Sequence, residues 1–130
     1  MEQLLVIIIF LIIVLLITRI TRHIRLSQVP LVSLDQVEVA CHESRVLILD
    51  VRTTDEYHAG HILGALSLPF YELAERIDQV PRERPVYVIC QTGRRSFQAV
   101  KFLMSQGYSQ VFSVSQGMEK WRGPLVKETM

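Results

Sequence analysis

Residues 4–17 form an unbroken run of 14 apolar residues, and no polar side chain interrupts it. A helix built from this run has no polar face, which excludes an amphipathic helix lying on a membrane surface. Being apolar all round and followed by a basic cluster, it also fits poorly as the core helix of a soluble domain. As a helix the run spans ~21 Å at about 1.5 Å per residue, against a bilayer core of ~30 Å. Continuing through Thr18, Arg19 and Ile20 narrows the gap, because Arg19 can snorkel toward the headgroups. Residues 1–20 are therefore expected to form one transmembrane helix. A cleaved signal peptide is the competing reading. It requires a basic n-region and a small-residue cleavage site, whereas Glu2 precedes the run with no Lys or Arg, and no Ala-x-Ala follows it. Arg19, Arg22, His23 and Arg25 lie just after the run, and basic flanks stay on the cytoplasmic side. The expectation is a single-pass membrane protein with a basic linker at 21–31 and a cytoplasmic domain at 32–130.

About 100 residues then remain for folding, enough for one domain with a single core. Beyond residue 30 the chain carries 11 Lys/Arg against 12 Asp/Glu, a formal net of −1. That balance leaves no electrostatic footprint for nucleic acid. Two cysteines, Cys41 and Cys90, are too few for a disulfide scaffold and lack the spacing of a zinc site. Free thiols in a reducing compartment fit better.

The element pattern predicts α/β architecture. Ser33 opens a helix through a capping box with Gln36, placing Leu34, Val37 and Cys41 on one face. Residues 46–49 and 86–89 are short continuous apolar runs, as expected of strands buried on both sides. Residues 54–59 read as a short helix capped by Thr54 and stopped by Gly60. A short strand is expected at 65–68 and a helical face at Phe70, Leu73 and Ile77. A helix is expected at 95–106 with Phe97, Val100 and Met104 inward and Gly107 at its end. Residues 111–114 form a further strand, and 117–121 a last short helix. Alternation of this kind implies a mainly parallel central sheet flanked by helices, preceded here by the transmembrane helix. Sites in such sheets lie past the carboxyl ends of the strands, which is where Cys90 falls.

The segment Cys90-Gln91-Thr92-Gly93-Arg94-Arg95-Ser96 runs from a strand through a one-glycine loop into a helix. Backbone N–H groups in such a turn can converge on one point and favour an anion there. With the Cys90 sulfur in that nest, the helix N-terminus, Arg94 and Arg95 all favour the thiolate. Gly93 is expected to supply a positive φ or a close backbone approach. A cysteine at a strand end is by itself most often a small buried hydrophobe; the glycine, the two arginines and the following helix together point to reactivity.

These residues, with others upstream and downstream, resemble the single-domain rhodaneses over about 32–125. The loop at 90–95 resembles the family's six-residue active-site loop. Asp50-Val51-Arg52, Glu56-Tyr57, Gly60-His61-Ile62 and Gly64-Ala65 resemble its upstream signature. Residues 114–121 resemble its closing Gly-Gly-x-x-x-Trp segment, with Gln116 in place of the first glycine and Gly117 and Trp121 matching.

The resemblance implies a thiosulfate-type sulfurtransferase in which Cys90 carries a persulfide. The amides of Gln91, Thr92, Gly93, Arg94, Arg95 and Ser96 would cradle it, and Arg94 and Arg95 would attract an anionic sulfane-sulfur donor. A thiol, or a cysteine of an acceptor protein, would take the sulfur. No metal or organic cofactor is implied. The alternative within the same fold is a protein-binding or sulfur-relay module at the membrane with little turnover. Cysteine phosphatases use Cys-x5-Arg, and here the position that must be Arg is Ser96, so the loop is one residue short for phosphate. Asp50, Arg52 and His61 read as organisers of the fold, with Arg52 able to pair with Glu56; Cys41 reads as a core residue.

Overall fold

The computed structural model describes residues 1–128; Thr129 and Met130, the end of the expected domain, and the side chains of residues 25–27, including Arg25 of the basic cluster, lie outside the described set. Helix α1 spans Glu2–Ser27 and is exposed along its apolar length. The stretch Glu2–Ile24 is long and apolar enough to cross a membrane, and none of it is buried against the rest of the protein. Its 23 residues reach ~35 Å at about 1.5 Å each. The shortfall expected from the apolar run alone is removed because the helix continues through Thr18, Thr21 and the basic residues. The Thr18 and Thr21 hydroxyls donate to main-chain carbonyls of the preceding turn, so they add no unpaired polar group. The linker expected at 21–31 is thus mostly helix.

A five-stranded parallel sheet follows, ordered β1-β5-β4-β2-β3. The strands are β1 Leu31–Val32, β2 Leu47–Asp50, β3 Leu66–Ser67, β4 Val86–Ile89 and β5 Val111–Val114. The helices are α2 Leu34–Ala40, α3 Thr54–Ala59 and α4 Arg94–Ser105, with 3-10 turns at Phe70–Glu72, Ile77–Gln79 and Met118–Lys120. The helical face expected after Pro69 is split between two such turns, and the expected last helix is the third. Strand β4 sits at the centre, with Val88 opposite Leu49 of β2 and Ser113 of β5. Successive side chains point to opposite faces, so one core gathers Leu49, Val88, Val100, Leu103 and Val111, and the other Val37, Ile48, Ile62, Ile89 and Val114. Each such side chain contributes about 1.5–3 kcal/mol on burial, which explains why β2 and β4 read as unbroken apolar runs.

Three local expectations change. Strand β1 forms from what reads as linker, because the Pro30 and Val32 carbonyls accept from the main-chain N–H of Ser113 in β5 and of Ser115 just past it. Thr53, not Thr54, caps α3: its hydroxyl accepts from the Glu56 amide while the Glu56 carboxylate accepts from the Thr53 amide. In α4 the buried side chains are Ser96, Ala99, Val100 and Leu103, and Phe97 is 37% exposed. Turning Ser96 toward Cys90 rotates Phe97, one step further round the helix, out to solvent.

Candidate functional site

Strand β4 ends at Ile89, so Cys90 stands at the carboxyl end of the central strand. The chain then turns through Gly93, with φ +101, into α4. A side chain is excluded there twice: φ is left-handed, and a Cβ would lie 2.9 Å from the Ser115 carbonyl oxygen. The Gly93 N–H donates to Cys90 Sγ at 3.0 Å and the Ser96 N–H donates at 3.3 Å. The thiol points at Ser96 Oγ, 3.5 Å away. Ser96 Oγ in turn donates to the Gly93 carbonyl and lies 3.0 Å from Ser113 Oγ. Two loop amides therefore aim at one sulfur, and buried hydroxyls hold the second amide in place. Cys90 and Ser96 have no exposed surface.

The far side of the loop is pinned by the closing segment. The Met118 N–H donates to the Cys90 carbonyl at 2.8 Å and the Glu119 N–H to the Gln91 carbonyl at 3.2 Å. A Cβ on Gly117 would overlap the Gln91 and Cys90 carbonyl groups. Gly117→Ala is expected to destabilise the domain by about 2–4 kcal/mol, as overpacking against backbone cannot relax by a rotamer change; urea unfolding measures it, and a change below about 0.5 kcal/mol would contradict this packing. Gln116 needs no glycine, because no non-glycine residue among those described has a positive φ.

The charges are arranged differently from the sequence reading. Arg95 Nη1 and Nη2 bond the two oxygens of Glu56 at 2.8 and 3.0 Å. Hydrogen bonds from Arg95, then from Thr53, hold the Glu56 carboxyl down at about 2, against an opposing effect of burial. The same contact raises Arg95 further above its ordinary range. Arg94 is exposed and forms no ion pair among the described residues. Arg52 does not pair with Glu56. Its Nε and Nη2 bond the Asp50 carboxylate at 3.0 and 2.7 Å, its Nη2 also reaches the Gly60 carbonyl at 2.8 Å, and its Nη1 lies 3.5 Å from Gln91 Oε1. Thr92 is exposed. His61 stacks on Tyr57 and its Nδ1 lies 2.9 Å from the Tyr57 carbonyl, a turn-holding position. Cys41 is half-buried at the end of α2 with its thiol on the Glu38 carbonyl, and burial pushes it up.

The Glu56–Arg95 pair has a pH signature. Because the folded Glu56 carboxyl is depressed, its contribution is present above about 4.5 and is lost as pH falls toward about 2. Both side chains are about one-third exposed, so screening holds the contribution to roughly 1 kcal/mol. Glu56→Gln is expected to lower stability at neutral pH by that amount and to flatten the acid limb between those values. Parallel urea titrations of wild type and variant check it, and an unchanged acid limb would contradict it.

Residues 33–124 match the family model described as Rhodanese-like domain. Thiosulfate sulfurtransferase GlpE of Pseudomonas entomophila is 33% identical over 104 residues, covering 80% of this chain and 94% of that protein. YrkF of Bacillus subtilis, a candidate sulfur carrier protein, is 35% identical over 98 residues, covering 75% of this chain and 53% of YrkF, so the chain spans about half of that relative. Among solved structures, a rhodanese-related protein from Thermoplasma volcanium superposes with a TM-score of 0.70 at 28% identity, covering 76% of this chain and 99% of that one.

Proposed function

Because the chain belongs to the rhodanese-like domain family of sulfurtransferases and sulfur carriers, we propose that it moves sulfane sulfur through a persulfide on Cys90, with α1 anchoring it in a membrane. The observation that carries this reading is the convergence of the Gly93 and Ser96 amides on Cys90 Sγ. Amides so placed stabilise a negative sulfur without a mobile counter-ion. In the first step the Cys90 thiolate attacks the outer sulfur of thiosulfate. A bond forms between Sγ and that sulfur, the sulfur–sulfite bond breaks, and sulfite leaves with the electron pair. In the second step a thiolate attacks the outer persulfide sulfur and Cys90 leaves as a thiolate. Arg94, exposed at the start of α4 and in no ion pair among the described residues, is placed to attract the anionic donor. Arg95 is committed to Glu56 and acts by holding the loop.

The span lies within α1, the folded domain begins near residue 32, and the basic residues Arg19 and Arg22 favour a cytoplasmic domain. A second reading, a sulfur-relay or docking module with little turnover, is favoured by one observation: Cys90 has no exposed surface, so the loop must open for each transfer. Steady-state kinetics of the full-length chain in detergent separate the two. The sulfurtransferase reading expects parallel double-reciprocal lines for thiosulfate against a thiol acceptor, the signature of a covalent intermediate. Absence of turnover with any sulfane donor would leave the module.

A further inference from the structure

A cleft of about 450 Å3 opens beside the Cys90 loop, walled by Arg52, Glu56 and Gly60, by Gln91 of the loop, by Met118 of the closing segment and by Leu125 beyond it. Its size falls within the range of small-ligand sites, about 300–1,000 Å3. Arg52 is only 4% exposed, yet its Nη1, with two N–H groups, has just the 3.5 Å contact to Gln91 Oε1. That length is at the limit of a hydrogen bond, so Nη1, which carries two N–H groups, keeps donor capacity on the cleft wall.

The charges around the cleft cancel. Arg52 is matched by Asp50, and Glu56 by Arg95. An anion entering would give up hydration and meet no uncompensated cation. A neutral hydrogen-bond acceptor can take the remaining donor capacity of Nη1 at no such cost. The apolar part of the wall is equally specific. Leu125 is 49% exposed although its backbone is firmly held. Val126 and His61 exchange two main-chain hydrogen bonds of 2.8 and 2.9 Å, and the Glu128 carboxylate lies 2.8 Å from His58 Nδ1. The aliphatic side chain is thus presented beside Met118 by a docked segment. A neutral carbonyl next to an aliphatic side chain is the chemistry of a peptide.

Resting on the persulfide reading above, we propose that this cleft docks the peptide segment carrying the acceptor cysteine. A main-chain carbonyl of that segment takes Arg52 Nη1, and its neighbouring aliphatic side chain sits on Met118 and Leu125. The loop then has separate faces for the two half-reactions: the anionic donor approaches past Arg94, and the uncharged carbonyl and aliphatic side chain of the acceptor peptide lie in the cleft while its thiolate meets the persulfide. Transfer forms a bond from the peptide thiolate to the outer sulfur and breaks the bond from that sulfur to Cys90 Sγ. The electron pair returns to Cys90 as thiolate, and the peptide leaves as a persulfide.

The test uses the full-length chain in detergent, loaded with thiosulfate, desalted, and discharged with acetyl-Leu-Cys-Leu-amide or with cyanide. Leu125→Asn is expected to lower the ratio of peptide to cyanide discharge rates about fivefold, the effect of one lost apolar contact. Met118→Gln, which leaves the docked segment itself intact, is expected to lower it about threefold. An unchanged ratio in both variants would overturn the cleft. Binding of acetyl-Ala-Leu-Ala-Leu-amide, followed by Trp121 fluorescence, needs no persulfide. Saturable binding weakened by the same substitutions supports the cleft even if the sulfur reading fails, and absence of saturable binding to wild type overturns it.

Discussion

Serine in place of Cys90 is expected to lower sulfur transfer by about 10^4-fold or more while the domain stays folded. The magnitude follows from removing the nucleophile itself, since no other described group near the loop can carry sulfur covalently. Cys41 lies at the end of α2, bonded to Glu38, and belongs to the other core cluster. The fold survives because a hydroxyl at residue 90 can accept from the same Gly93 and Ser96 amides. Circular dichroism of the variant checks the fold, and the transfer assay checks the chemistry. Residual turnover within about tenfold of wild type would move the reaction away from Cys90.

Asp50→Ala is expected to produce the largest loss of stability, about 3–5 kcal/mol. Asp50 and Arg52 are 1% and 4% exposed, and the carboxylate takes bonds from Arg52 Nε, Nη2 and main-chain N. Removing the carboxylate leaves a guanidinium charge in the interior with only the Gly60 carbonyl and a distant Gln91 amide oxygen. Such a loss consumes much of the roughly 5–15 kcal/mol that holds a domain of this size. The double variant Asp50→Ala, Arg52→Met removes the charge as well and recovers much of the loss, because the cost lies in the stranded charge rather than in the missing pair. Urea unfolding of the three proteins measures both effects. A loss below about 1 kcal/mol for Asp50→Ala would show that water reaches the guanidinium.

These two sites also mark what local pattern can and cannot convey. The parallel sheet was legible because residues 47–49 and 86–89 are largely buried between the two layers, leaving no charged residue inside either run. The loop was legible because strand, glycine and helix follow one another within seven residues, and all its contacts to Sγ are local. The charge pairing was not. Arg95 and Glu56 are 39 residues apart, and only the placement of α3 beside the loop brings them together. Arg52 could reach Glu56 by spacing, but Asp50, two residues back, already points along the same side of β2 and captures it. Strand β1 was hidden for a related reason: two residues after a proline carry no periodicity, and their identity as a strand comes wholly from β5. Phe97 was placed inward by hydrophobicity alone, whereas the helix is oriented by the small polar Ser96 that must meet Cys90 and Ser113. Helix α1 runs past the expected span of residues 1–20 to Ser27. Thr18 and Thr21 satisfy their hydroxyls within the helix and prolong it.

The central claim is that Cys90 holds a sulfane sulfur, and mass spectrometry tests it most directly. The full-length chain is treated with thiosulfate, freed of excess reagent, alkylated and digested. The account predicts one added sulfur on the peptide containing Cys90, none on the peptide containing Cys41, and loss of the added mass on treatment with cyanide. An unmodified Cys90 peptide, or added sulfur found on Cys41 instead, would contradict it.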